Sequence, residues 1–323
     1  MIKKRQLGQF FTKQKTWLRP HIIDFIKSTD SKIAYDPFAG NGDLLKVLKS
    51  LRFKKNIGLD IDPILGWKLN DSLLSIPKIE ASILITNPPY LTNYSAKRKK
   101  IYELVSKYFE HCEYTDLYQL AIEKSLDNEF GVIIVPETFI NSSFPKNRLH
   151  SITILEENPF EDTENPVCVI CFDKRSKSLK EIKIYKNDHL LGTMDRFEKL
   201  RMQPKRYPEI RFNAINGKIA LRAVDTTNPQ KPISFMKKND LDYDLNGIKH
   251  SSRLITLIHA PTHYKKLEAI IDKSNYILNK YRKKTNDILL SPFKGNRKDG
   301  TRRRRLDYKT ARAILERAYV EII

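Results

Sequence analysis

The sequence predicts an α/β protein: a doubly wound, mostly parallel sheet followed by a smaller basic domain of α+β or mainly helical type. Three observations carry this prediction. Short β-branched runs alternate with helix-like stretches over residues 33–176, as expected of strands joined by crossover helices. The first run leads directly into a turn with two glycines, Asp36-Pro37-Phe38-Ala39-Gly40-Asn41-Gly42, where a ligand can approach bare backbone. Beyond about residue 176 this alternation gives way to less periodic, lysine-rich sequence with scattered prolines. The expected domains are therefore 1–176 and 177–323.

Ile33-Ala34-Tyr35-Asp36 reads as the first strand. Residues 43–51 follow as an amphipathic helix, with Asp43 near its N-terminus, where a carboxylate complements the helix dipole. Asn56 to Asp60, Ser82 to Thr86 and Gly131 to Val135 read as further strands, with a helix around Leu117 to Leu126. Ser151 to Leu155 and Val167 to Phe172 suggest a terminal strand pair flanking the loop Glu156 to Pro166. In the second domain, 263–284 and 307–322 read as helices around the segment Lys294 to Arg305. Neither an internal repeat nor a coiled-coil heptad run is evident.

With 323 residues, 40% of them hydrophobic, the chain can build a substantial core. No apolar stretch approaches the roughly 18 residues of a membrane span, and Met1-Ile2-Lys3-Lys4-Arg5-Gln6 is not followed by an apolar signal core. A cytoplasmic, prokaryotic protein without a membrane partner is expected. The three cysteines, Cys112, Cys168 and Cys171, are too few for a disulfide framework. Cys168 and Cys171 fall in one strand at an odd spacing, so they point to opposite faces and read as core residues. His259 and His263 have helical spacing, but Pro261 interrupts it and no third ligand is evident, so no metal site is expected.

Residues 177–323 hold 34 basic against 16 acidic residues, a formal +18 of the chain's +21. A field so uneven points to a polyanion handled by the second half, because each neutralised phosphate releases counterions.

Two constellations carry chemistry. The glycine turn lacks both the full dinucleotide fingerprint and a P-loop lysine, which disfavours phosphate cradling. Asp60 ends the second strand, where it can accept hydrogen bonds from ribose hydroxyls, and Asp71 lies where it can accept one from an adenine amine. That set suits an adenosine cofactor without a pyrophosphate. Directly after the strand ending at Thr86 comes Asn87-Pro88-Pro89-Tyr90. Consecutive prolines stiffen the turn and carry no N–H donors, leaving carbonyls as acceptors. The Asn87 carbonyl and the aromatic face of Tyr90 could then grip a planar ring bearing an exocyclic amine.

In this order, Asp36 to Gly42, Gly58-Leu59-Asp60, Asp71 and Asn87 to Tyr90, together with Gly8-Gln9-Phe10-Phe11-Thr12, the chain resembles the S-adenosylmethionine-dependent adenine-N6 DNA methyltransferases of restriction-modification systems. The succession of N-terminal cofactor segment, cofactor loop, catalytic loop and C-terminal target-recognition domain is similar to their gamma class. The match covers roughly residues 5–175; residues 177–323 carry no matching motif, and their recognition role is implied by order and charge. The resemblance implies S-adenosylmethionine as cofactor, with Asp36, Phe38, Gly40 and Gly42 lining it. Asp60, with Ile61 counted beside it, would meet the ribose, Asp71 the adenine, and Phe10 and Thr12 the methionine moiety. It implies that Asn87 and the carbonyl of Pro88, stiffened by Pro89, bind the target amine while Tyr90 stacks on a flipped base. Phe160, in Asn158-Pro159-Phe160, would be the second aromatic wall.

The expected partners are double-stranded DNA and a cognate restriction endonuclease acting on the same site, with the protein itself a monomer. Because the target nitrogen is inaccessible in a duplex, the base must be extruded. Lys97, Arg98, Lys99 and Lys100 would hold phosphates at the rim, and Arg302, Arg303, Arg304 and Arg305 would contact phosphates elsewhere. Asn-Pro-Pro-Tyr also occurs in enzymes that methylate guanine amines of ribosomal RNA, and in those that methylate a glutamine of translation release factors. The glutamine enzymes place a helical domain before the core and leave the basic half unexplained; an RNA substrate stays open. A non-catalytic nucleic-acid-binding module is disfavoured, because every cofactor and catalytic position holds a plausible residue.

Overall fold

The computed structural model describes residues 15–110, 112–160, 163–205, 208–242, 254–261 and 264–322. Phe10, Thr12 and His263 lie outside the described residues. The chain divides into two compact units, Met1–Arg196 and Phe197–Ile323, whereas the composition shift had suggested a division near residue 176.

The first unit starts with helix α1 (Pro20–Ser28), whose Pro20 occupies the first turn, where its missing N–H costs no hydrogen bond. Strand β1 (Ile33–Asp36) leads through the glycine turn to α2 (Asp43–Val47), followed by a 3-10 turn over Leu48–Leu51. Next come β2 (Lys55–Asp60), β3 (Lys68–Leu69) and β4 (Ser82–Thr86), then α3 (Asn93–Arg98), α4 (Tyr102–Phe109) and α5 (Leu117–Ser125). Strands β5 (Gly131–Pro136), β6 (Leu149–Ile154), β7 (Val167–Phe172), β8 (Lys183–Lys186) and β9 (His189–Thr193) complete the sheet, and α6 (Met194–Leu200) follows.

Among the described residues the sheet order is β3-β2-β1-β4-β5-β7-β6-β8-β9. The first five strands are mutually parallel. Strand β7 is antiparallel to both β5 and β6. The chain winds outward from β1 to β3 and then restarts on the other side of β1 with β4. This is the doubly wound, Rossmann-like plan, and its order reverses between β1 and β4, where such sheets open a crevice at their carboxyl ends.

The sheet is apolar on both faces, as a parallel sheet must be. Ala34, Ile83, Ile85, Val132 and Ile134 share a core with Ile22, Phe25 and Ile26 of α1 and Leu44, Leu45 and Val47 of α2. Their strand neighbours Tyr35, Leu84 and Ile133 point the other way by the pleat and are also buried. A separate cluster packs α3, α4 and α5 through Ala96, Val105, Tyr108, Leu117 and Leu120. Cys168 and Cys171 are both buried free thiols in β7.

Strands β8 and β9 belong to the first sheet: β8 runs parallel to β6, and β9 returns antiparallel to β8. Lys183 is exposed and Tyr185 and Lys186 are half-buried, so this edge hairpin shows little of the apolar run that marks a strand in sequence.

The second unit is α+β. Strands β10 (Arg211–Phe212), β11 (Ile219–Arg222), β12 (Ser234–Lys237) and β13 (Ile255–His259) form an antiparallel sheet in the order β10-β13-β11-β12. Helix α7 (Tyr264–Thr285) packs beside β12, where Asn275 receives the Phe235 N–H and donates to the Phe235 carbonyl, both at 2.9 Å. The segment between the two long helices is a hairpin of β14 (Ser291–Asn296) and β15 (Arg302–Arg305), and α8 (Tyr308–Ile322) follows it.

Candidate active site

The carboxyl ends of β1, β2 and β4 open onto a cavity of about 320 Å³. Asp36, Phe38 and Gly40 line it from the glycine turn, Asp60 and Ile61 from the end of β2, Asp71 from the turn after β3, and Asn87 and Pro89 from the end of β4. Eight residues predicted from sequence therefore converge on one space, as the crossover topology requires.

The two buried carboxylates are held by the backbone. Asp60 Oδ2 accepts the Gly40 N–H at 2.8 Å and Oδ1 the Asp62 N–H at 2.9 Å, which ties the end of β2 to the glycine turn. Asp36 Oδ1 accepts the Phe38 N–H at 3.0 Å and the Thr86 hydroxyl at 2.6 Å, which ties β1 to β4. Burial pushes the Asp36 carboxyl up to about 7, against the opposing pull of the Thr86 and Phe38 hydrogen bonds; the neighbouring Asp60 adds to the rise. Asp71 Oδ2 accepts from Lys107 Nζ and from the Tyr108 hydroxyl, each at 2.9 Å.

Trp67, which the sequence did not mark, supports the glycine turn from outside the lining. Its Nε1 donates to the Gly40 carbonyl at 2.8 Å. A Cβ on Gly58 would sit 2.5 Å from its ring, and one on Gly42, at φ +75°, would sit 2.9 Å away. The indole thus props the turn, and both glycines exist to admit it. Gly58 inside a strand was the available signal. Gly42 acts from behind the lining, as the left-handed residue preceding α2. Leu65, Asn70, Leu73, Leu104, Val105, Tyr108 and Leu117 complete much of the wall, and no local motif marks them.

In the Asn-Pro-Pro-Tyr turn, Pro88 is buried while Asn87, Pro89 and Tyr90 are half-buried. The Tyr90 hydroxyl lies 2.5 Å from Asn87 Oδ1 and 2.9 Å from the Ile134 carbonyl of β5. A phenol has one proton to donate, so the tyrosine anchors the turn to the sheet at one acceptor at a time. Burial, first, and the nearby Cys168 and Tyr118 hold its ionisation well above the ordinary phenol range. Phe160 is buried and meets Tyr90 edge-on, with centroids 6.2 Å apart and planes at 64°. Phe160 therefore supports Tyr90 within the core cluster rather than standing out as a free wall.

Five carboxylates, Asp36, Asp43, Asp60, Asp62 and Asp71, line the cavity, and among the described residues no lysine, arginine or histidine does. Such a lining repels phosphate and favours a ligand that is neutral or cationic. The basic run Lys97 to Lys100 lies elsewhere. It closes α3 and is exposed, with Lys97 4.8 Å from the Tyr102 ring centroid and Arg98 6.0 Å from that of Tyr94. The arginines 302–305 form β15. Arg304 is only 3% exposed, and Arg303 Nε donates to the Asp225 carbonyl at 2.8 Å. Strand alternation has turned Arg304 inward, while Arg302, Arg303 and Arg305 are half-buried.

No family model and no curated protein matches the chain. Among solved structures, it is similar to one assigned as a class I S-adenosylmethionine-dependent methyltransferase from Listeria monocytogenes, at 16% identity over 55% of this chain and 66% of that one, with a TM-score of 0.39. It is also similar to the methyltransferase subunit of a type I restriction-modification system from Streptococcus thermophilus, at 17% identity over 55% and 47%, TM-score 0.38. A third, assigned as an RNA methyltransferase from Pyrococcus horikoshii, shares 15% identity over 54% and 91%, TM-score 0.35. The chain thus spans less than two thirds of the first two of these structures.

Proposed function

We propose that the protein is an S-adenosylmethionine-dependent methyltransferase that modifies the N6 amine of an adenine flipped out of duplex DNA. One observation carries this reading: Asn87 and Pro89 open onto the same acidic cavity as Asp60, Asp71 and the glycine turn. The site fits the cofactor by its donor set. Asp60 suits a ribose diol, Asp71 an adenine amine and Ile61 a flat ring face. The surplus of carboxylates suits a ligand that carries a sulfonium and an ammonium but no phosphate. Phe10 and Thr12 would meet its methionine end.

When bound, the cofactor supplies an electrophilic methyl group. Everything else falls to this chain's own side chains and backbone. The lone pair of an adenine N6 is delocalised into the ring, so the nitrogen is a poor nucleophile. Acceptance of its two N–H groups by the Asn87 side chain and the Pro88 carbonyl favours a pyramidal nitrogen with its lone pair directed for in-line attack. Tyr90, tethered through its hydroxyl, holds Asn87 and offers its face to the base, while Phe160 stiffens Tyr90 from behind. The alkylated nitrogen is cationic and strongly acidic, and its proton passes to water. The phosphates are held by Lys97 to Lys100 and by the basic second unit, outside the acidic lining. A cognate endonuclease cutting the same sequence would explain why such a modification is made.

Incubation with labelled cofactor and unmethylated duplex DNA, followed by hydrolysis to nucleosides, tests the reading. Label is expected in N6-methyladenine; label found only in RNA, in protein or in another nucleoside would refute it. Asn87→Ala should bind the cofactor within about twofold of wild type, by calorimetry, yet lose at least about 100-fold in transfer, as on removal of one preorganised polar contact. Retained activity would remove Asn87 from the mechanism.

A further inference from the structure

The hairpin β14–β15 combines a clamped stem with an exposed, mainly basic tip. The stem is fixed around Asp225, whose side chain is fully buried. Its carboxylate receives Arg282 through two contacts of 2.9 Å and the Arg304 backbone N–H at 3.0 Å. The Asp225 N–H donates in turn to the Arg304 carbonyl at 3.0 Å. Arg303 donates to the Asp225 carbonyl, and its guanidinium sits 4.8 Å from the centroid of Phe293 on the facing strand. A bridge from Val224 to Arg305 joins the ribbon to the chain leaving β11.

The distal half is pinned as well. The Arg297 N–H donates to the Thr301 carbonyl and the Lys298 N–H to the Thr227 carbonyl, each at 2.8 Å. The Arg297 guanidinium donates to the Pro229 carbonyl at 2.6 Å. Gly300 takes φ of +81° in the turn, and Gly295, at φ +73°, falls within β14 where the ladder shifts register. What this leaves exposed is Lys294, Asn296, Lys298, Asp299, Gly300 and Thr301, with the Asp299 carboxylate taken up by the Thr301 N–H and hydroxyl. Over residues 291–305 there are seven basic side chains and one acidic, Asp299.

A two-stranded ribbon is one of the two elements that the major groove of B-form DNA admits. An asparagine side chain is the usual bidentate partner of adenine there, and lysines serve the phosphates on either side. The clamp removes the entropic cost of ordering a loop on binding. We propose that β14–β15 enters the major groove of duplex DNA, with Asn296 reading a base edge and Lys294 and Lys298 contacting the flanking phosphates. This assignment rests on the DNA reading above and gives part of the sequence recognition to one element. It also accounts for Arg303, whose guanidinium braces the ribbon against the Asp225 carbonyl and the Phe293 ring while other side chains face outward.

The experiment uses the full chain and measures binding to a 30-base-pair duplex by fluorescence anisotropy between 50 and 200 mM salt, alongside selection from a randomised duplex pool. Lys294→Ala/Lys298→Ala should weaken binding about tenfold or more at low salt. It should also lower the slope of log K against log salt by about 1.8, the loss of two phosphate contacts. Asn296→Ala should leave that slope unchanged and relax discrimination about tenfold at one adenine position. Wild-type affinity, slope and sequence profile in both variants would overturn the assignment of the hairpin alone, because wild-type binding to DNA would still stand. Binding of the wild-type chain to duplex RNA but not to DNA would overturn the DNA reading and this inference together. Unchanged circular dichroism and urea unfolding of the full chain in both variants show that each retains its fold.

Discussion

Asp36 has one of the most unusual environments of the residues in the cavity wall. In the folded chain its carboxyl titrates near 7, against 3.8 in the absence of the fold, because burial outweighs its two hydrogen bonds. Between about pH 4 and 7 the native state therefore holds a proton that the unfolded chain releases, and stability falls as pH rises through that window. A cationic ligand reverses the balance by favouring the carboxylate, so its binding should expel the proton. S-adenosylmethionine affinity is expected to rise by up to about tenfold per pH unit below 7 and to level off above it. Calorimetry in buffers of differing ionisation enthalpy would detect the released proton. Asp36→Asn keeps an acceptor for Phe38 and Thr86 and should flatten the profile; a wild-type profile in that variant would exclude Asp36 as the titrating group. In sequence, Asp36 is legible as the end of a strand before a glycine turn, but its protonation is not. That depends on Thr86, fifty residues away, and on the fold's exclusion of water. Trp67 was hidden for the same reason: only the closed fold shows that Gly58 and Gly42 leave room for its ring.

At the scale of elements, strands with continuous β-branched runs are read correctly from sequence, and elements stabilised by remote partners are not. Ile33–Asp36, Ser82–Thr86 and Val167–Phe172 have the bounds their sequence suggests, because central strands are apolar on both faces. The hairpin β14–β15 had no such signature: Arg302 to Arg305 reads as a phosphate-contacting run until Asp225 and Arg282 are brought against it. Burial alone would push the Asp225 carboxyl up, yet the hydrogen bonds and charge of Arg282 hold it below the usual carboxylate range. Its contribution is therefore present above about pH 4 and is lost as pH falls further. Asp225→Asn should destabilise the chain by about 2 kcal/mol at pH 7, since it weakens two charge-assisted hydrogen bonds from Arg282 and leaves Asp287 to pair with that guanidinium. Urea unfolding with that variant would show the loss at pH 7 and a smaller difference from wild type near pH 3. An equal difference at both pH values would mean that packing, not charge, holds the stem.

Across the whole molecule, the proposed reaction would draw on two fields of opposite sign. The cavity is lined by five carboxylates, while residues 177–323 hold a formal +18 of the total +21. An acidic cavity cannot draw in a phosphate backbone, so affinity for the polymer has to come from cations outside the lining, and only a base, uncharged, needs to enter. The two binding events should then respond to salt very differently. Duplex DNA affinity should fall steeply, with a slope of log K against log salt of about −5 or steeper, corresponding to roughly six neutralised phosphates. S-adenosylmethionine affinity should change by less than about threefold between 50 and 200 mM salt, because its charges lie close to buried carboxylates, where screening is weak. Parallel titrations of the two ligands on the same preparation would measure both slopes. A shallow DNA slope would mean that the basic half is a solvated surface with no polyanion partner. A cofactor slope as steep as that for DNA would mean that the ligand in the cavity is anionic, which the five aspartates make the least favourable outcome.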